Sequence, residues 1–276
     1  MFRSIDKATY EVFKSLVDYE EKTSKRTVRD HLYSASKKKS DPSGYSPAVT
    51  KAHWKIIDNI PDEKMTRDAL SKYVNDASRT PLEIIFAILG WGGIGADNFR
   101  RFLERGTKPF EAVVSDIRKN KLERYDAYDR IKALKPGKKP ADWLLYGISP
   151  AYYTKVIFFL TRESGRPGYI MDQFSGRSVN FLWNDEAVIL NETGKVHSDN
   201  NAENYIFFCA RVEALATKLS TRKTTRSGEE VEFALFNPNS HWRKYLTTHD
   251  KVAQRKAAKK AKAKGKKRGS SEDDGD

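Results

Sequence analysis

The sequence predicts an all-α protein, and three observations carry that prediction. Apolar residues recur at helical spacing in one segment after another. Helix-start signals precede several of these segments, the strongest being Thr80-Pro81-Leu82-Glu83, a capping box with proline at the first helical position. Strand and helix patterns do not alternate regularly, which argues against a doubly wound sheet. At most a minor β segment is expected, where Val231 to Phe236 (VEFALF) alternates with period two.

The elements follow in order. Residues 1–50 read as a helical N-terminal extension and linker: Tyr10, Phe13, Leu16 and Val17 recur at helical spacing, and Lys37 to Gly44 (KKKSDPSG) is polar and turn-rich. A second helical region is expected from about His53 to Val74. The Thr80 box opens a helix in which Ile84, Ile85, Phe86, Ile88 and Leu89 are apolar nearly all round, as a central helix is. Gly90-Trp91-Gly92-Gly93-Ile94-Gly95 breaks it. These glycines follow a helix rather than a strand, and no Lys-Ser/Thr pair follows, which excludes a phosphate-binding ATPase loop. The reading is a tight helix–helix turn, with backbone approach to DNA as the alternative.

Phe110, Val113, Val114 and Ile117 mark the next amphipathic helix, and Lys135 to Pro140 (KPGKKP) forms a basic loop. Ser149-Pro150 opens a helix to about Leu160, Asp172 opens one to about Trp183, and a long one runs from Ser198 to Leu219. The main helical domain is therefore residues 51–250. Residues 251–276 form a basic tail with an acidic end, too poor in apolar bulk to pack and expected to be disordered.

Composition narrows the function. Lys and Arg number 51 against 37 Asp and Glu, a net charge of +14. The tail holds 10 basic and 4 acidic side chains, so the remaining 250 residues still carry +8. Such a surface suits a polyanion, because neutralising phosphates releases counterions. Cys209 is the single cysteine, which excludes an internal disulfide and a cysteine-based zinc site. No apolar run approaches the roughly 20 residues of a membrane span, and the first residues lack a signal peptide. The expectation is a monomeric, cytoplasmic, nucleoid-associated protein that binds double-stranded DNA and no membrane. The five histidines show no metal-ligand spacing, a serine nucleophile elbow is absent, and no cofactor is expected.

The chemistry concentrates in Trp143 to Trp183 (WLLYGISPAYYTKVIFFLTRESGRPGYIMDQFSGRSVNFLW). Lys155 sits among Tyr152, Val156, Ile157, Phe158, Phe159 and Leu160, so its amine should be partly desolvated and more nucleophilic. Tyr152 and Phe159, one turn to either side, should border the same pocket, with Trp183 as a further aromatic candidate. Asp172 directly precedes QFSGRSV and is a natural N-cap, held rigid and ionised by the helix terminus. Each residue alone has an ordinary reading, Lys155 as a snorkelling lysine and Asp172 as a plain cap. An amine and a fixed carboxylate across one cleft instead suit scission of an N-glycosidic bond, where positive charge grows on the sugar and a carboxylate stabilises it.

This segment resembles the helix-hairpin-helix, Gly/Pro-loop, aspartate superfamily of DNA glycosylases, and within it the 8-oxoguanine DNA glycosylase branch. The resemblance implies that Lys155 in YYTKVIFFL is the nucleophile and that Asp172 in RPGYIMDQF, 17 residues on, caps the next helix. It implies base excision, with strand cleavage by β-elimination as a companion activity. The hairpin departs from the family pattern: Gly147-Ile148-Ser149-Pro150 lacks the second glycine, which marks a divergent branch. Gly147 and Ser149, Arg177 on the second helix, and Lys259 and Lys260 in the tail are the candidate DNA contacts. Two alternatives stand beside this reading, a glycosylase acting on modified bases of foreign (phage) DNA as a defence enzyme, and a non-catalytic DNA-binding protein.

Overall fold

The structure, a computed structural model, describes residues 4–24, 47, 59–135, 143–237 and 239–249. The KKKSDPSG linker, most of the KPGKKP loop and the tail with Lys259 and Lys260 lie outside the described residues. The helices are α1 (Lys7–Ser24), α2 (Arg67–Asn75), α3 (Pro81–Trp91), α4 (Ala96–Glu104), α5 (Lys108–Arg118), α6 (Arg124–Ala133), α7 (Pro150–Thr161), α8 (Gln173–Trp183), α9 (Ala202–Leu219), α10 (Gly228–Phe236) and α11 over residues 241–249. Among the described residues the only β pairing is a single antiparallel bridge, Leu190 with Val196. The fold is all-α.

Local signals place the central helices. Thr80 N donates to Glu83 Oε2 at 2.7 Å and Glu83 N to Thr80 Oγ1 at 3.2 Å, which closes the capping box at the start of α3. From Ile84 to Leu89 every residue of α3 is fully buried. It packs against α2, α5 and α7. α7 in turn touches α2, α3, α5 and α6, so the helix carrying Lys155 is central to this group of helices. Trp91 meets Phe159 edge-to-face at 5.0 Å, and Phe158 meets Phe159 at 4.9 Å. α9 packs on α6, α8 and α10. α1 docks onto α8, and its Phe13 packs edge-to-face on Trp242 of α11 at 4.8 Å.

Several sequence expectations are corrected. Val231 to Phe236 is helical, the body of α10. The structure buries Glu232 of this helix completely beside Arg67. A second capping box, Ser227 with Glu230, starts that helix at 2.7 and 3.2 Å and was readable as S-x-x-E. The helical region expected over His53 to Val74 starts only at Arg67, capped by Thr66; residues 59–66 are not helical and 51–58 lie outside the described residues. The helix expected from Ser198 begins at Ala202. Asn200 occupies the preceding turn and satisfies the backbone of Ile189 and His197 with its side chain, so those residues turn instead of coiling.

Candidate active site

α7 follows a turn at 144–147. Gly147 has φ +87°, and a Cβ there would stand 2.4 Å from Asn98 O, so only glycine fits. Ser149 is the N-cap residue by backbone, and its side chain makes no capping hydrogen bond. One turn further, half-buried Lys155 donates from Nζ to Ala151 O at 2.7 Å and lies 5.3 Å from the Tyr152 ring centre. The glycine-rich turn after α3 closes over this lysine. A Cβ on Gly92 would come within 3.0 Å of Lys155 Cδ, and Tyr152 Oη donates to Gly93 O at 3.3 Å. That third role for the turn, a cover for the lysine stem, was not legible in the sequence.

The Gly/Pro loop is laid along α7 by two threonines two turns apart. Met171 N donates to Thr154 Oγ1 at 3.2 Å, and Gly168 N donates to Thr161 Oγ1 at 2.8 Å. Each threonine passes its own proton back into α7, to Pro150 O and Ile157 O, both at 2.7 Å. Tyr205 Oη accepts from Tyr169 N and donates to Tyr169 O, each at 3.1 Å. Since Thr154 precedes Lys155 and Met171 precedes Asp172, the Thr154–Met171 bond sets the register between the two candidate residues.

Asp172 is the N-cap of α8 and is 7% exposed. Its Oδ1 accepts from Phe174 N at 2.8 Å and Ser175 N at 2.9 Å, and Ser175 Oγ accepts from Asp172 N at 3.0 Å. Oδ2 accepts no hydrogen bond from the described residues. One oxygen is thus committed to the cap and the other is not. Burial pushes the Lys155 ammonium below its ordinary value; Asp172 and Glu232 oppose that shift, and Arg67 adds to it. The amine and the carboxylate therefore belong to one charged cluster.

Three members of this cluster escaped the sequence reading. Arg67 and Glu232 form an ion pair, and Arg243 on α11 acts on Asp172 while its guanidinium lies 3.3 Å over the Phe174 ring. They come from three segments far apart in the chain, and no local motif announces them. The remaining candidates divide. Tyr152 is at the lysine. Phe159 is fully buried behind it, against Trp91. Trp183 lies at the opposite end of α8 from Asp172, 5.4 Å from the Arg211 guanidinium, in a cavity of about 690 Å³ shared with Tyr10 and Lys218. It is not brought together with the pair. Arg177 donates to Thr193 O at 3.0 Å and Gly194 O at 3.2 Å, tying α8 to the 191–194 turn. No group of three or more His, Cys, Asp or Glu among the described residues stands ready to hold a metal, and no described helix is long and apolar enough to cross a membrane.

The described residues form an all-helical scaffold that carries a half-buried lysine within α7 and a helix-capping aspartate at the end of the Gly/Pro loop. The chain belongs to the family described as "Putative 8-oxoguanine DNA glycosylase OGG-like protein", whose model matches residues 22–236. DNA is the substrate class of that family. No curated protein and no solved structure matches the chain.

Proposed function

We propose that the chain excises a damaged or modified base from double-stranded DNA, acting as a monomer, with Lys155 as nucleophile and Asp172 as its electrostatic partner. The observation that carries this reading is the register of the two residues. A single hydrogen bond, Thr154 to Met171, joins their backbone neighbours and holds a desolvated amine and a capped carboxylate in one charge cluster.

The chemistry follows from those states. The neutral Lys155 amine attacks C1′ of the extruded nucleotide, and the glycosidic C1′–N bond breaks as the base leaves with a proton. Asp172 stabilises positive charge on the sugar and takes a proton from the new ammonium. Ring opening gives a Schiff base at C1′; loss of a C2′ proton from it expels the 3′ phosphate by β-elimination. Tyr152 forms the near wall of the base pocket, and Phe159 stiffens that wall from behind through Trp91. Gly147 and the first turn of α7 face the DNA backbone, and Lys259 and Lys260 add charge from the tail.

Borohydride reduction on duplexes carrying an abasic site or a panel of modified bases tests the reading. We expect a covalent protein–DNA adduct that disappears in Lys155→Ala. Base release that persists in Lys155→Ala with no adduct in the wild type would leave a glycosylase without the lyase step. Neither release nor adduct across the panel would leave DNA binding alone.

A further inference from the structure

A fully buried ion pair links α2 to α10, and stability alone does not account for it. Arg67, the first residue of α2, is 4% exposed and Glu232 on α10 is 0% exposed. Arg67 Nη1 donates to Glu232 Oε2 at 2.6 Å and Nη2 to Oε1 at 3.3 Å. The guanidinium lies between the rings of Phe158 and Phe233, 5.1 and 5.5 Å from their centres. Taking both charges out of water costs about as much as their attraction returns, and apolar replacements of such pairs are often neutral or stabilising.

The charges around the Lys155 amine give the pair a purpose. The loop before α8 contributes Asp172, α10 contributes Glu232, and α2 contributes Arg67; α7 itself adds the Tyr152 ring, and the turn after α3 adds Gly92. Behind these, Glu229 acts on both Arg67 and Glu232, Arg162 acts on Arg67, and Arg243 acts on Asp172. Two uncompensated carboxylates around one amine would hold it protonated, because nearby anions favour the ammonium. A protonated lysine has no lone pair with which to attack.

We infer that Arg67 cancels Glu232, so that Lys155 faces one carboxylate, Asp172, instead of two, and releases its proton readily enough to serve as a nucleophile. Arg67 and Glu232 are positioning residues that touch no substrate. This inference rests on the Lys155–Asp172 reading above and adds to it a control on the charge state of the amine.

The test is the pH profile of Schiff-base trapping by the full chain, with cyanoborohydride and a duplex containing one abasic site as probe. The trapping rate rises with pH as the amine loses its proton. Glu232→Gln removes the anion and leaves the always-charged guanidinium, so the rising limb should move to lower pH by about one unit. The double variant Arg67→Met, Glu232→Met removes both charges at similar volume and should return the limb to the wild-type position within about 0.3 unit, with stability unchanged or raised. If Glu232→Gln does not fold, Glu232→Met leaves the same lone guanidinium and is read in its place. A folded Glu232 variant whose limb coincides with wild type, with only its unfolding midpoint changed, would reduce the pair to a structural brace and overturn the inference. So would a double variant whose limb stays displaced. Failure of the underlying reading looks different: the wild type traps nothing, or Lys155→Ala still traps.

Discussion

Two lysines of this protein, both lowered by burial, make an instructive pair. Lys135, just beyond the end of α6, is 8% exposed, and burial pushes its ammonium down to about 8. Lys155 is also lowered by burial, yet it keeps more contact with solvent. By desolvation alone Lys135 is at least as good an amine. Its surroundings decide otherwise. Lys135 Nζ donates to Ile148 O and lies 4.9 Å from the centre of the Trp143 ring, and among the described residues the charge acting on it is the cation of Lys132. Lys155 has Asp172, held by two backbone N–H groups, and a second carboxylate neutralised by Arg67. Burial makes an amine available as a nucleophile; a fixed carboxylate beside it gives that amine a reaction to perform. Lys135 reads as a clamp on the turn before α7, and Lys155 is the reactive group of the proposed function.

The sharpest way to break this comparison is to remove each lysine in turn. Lys155→Ala should lower borohydride trapping on an abasic-site duplex by about 1,000-fold or more. Lys135→Met should keep the adduct while costing about 1–3 kcal/mol in urea unfolding, because Ile148 O loses its donor. A folded Lys135→Met protein that traps no DNA would collapse the distinction. The wild-type trapping rate should rise with pH through a midpoint below the 10.5 of an ordinary lysine, since the amine is lowered and only its neutral form attacks.

A smaller loss is expected from the carboxylate. Asp172→Asn keeps an N-cap acceptor, so the urea midpoint should hardly move. Base release should nonetheless fall by about 100- to 1,000-fold, because the charge opposite the forming cation is gone. Equal losses of activity and stability would mean that Asp172 is a cap and nothing more.

Gly92→Ala probes the cover over the lysine. The new methyl would meet Lys155 Cδ at 3.0 Å and Ile88 O at 3.2 Å, so the amine must shift. Trapping should slow by about 10-fold with the fold intact by circular dichroism. Last comes Thr154→Val, which leaves Met171 N without its acceptor and loosens the loop that carries Asp172. The expected cost is about 1–3 kcal/mol of stability. A catalytic loss no larger than that of a Val substitution at Thr161, which anchors the far end of the loop, would show that register at residue 171 does not matter.

Caps and periodicity made much of this legible. The Thr80 box, the proline-led start of α7 and the Asp172 cap are interactions within four residues, so the chain writes them locally. The same locality exposed the lysine helix, the loop and the aspartate in their order. Reading by period failed over Val231 to Phe236, which alternates like a strand yet forms α10, and it gave no sign that Glu232 there pairs with a residue 165 positions upstream. Trp183 shows the complementary limit: it shares a helix with Asp172 yet stands at the other end of it, because eleven residues of α-helix span about 16 Å.

The sequence by itself determined the helical class, the basic charge and the lysine–loop–aspartate order, because each depends on composition or on near neighbours. Only the tertiary structure decided that Gly92 covers the lysine stem, that Arg67 neutralises Glu232 behind it and that Arg243 flanks Asp172. Those contacts join residues from separate helices. Desolvation and Coulomb interaction depend on distance in space, and distance along the chain does not report it.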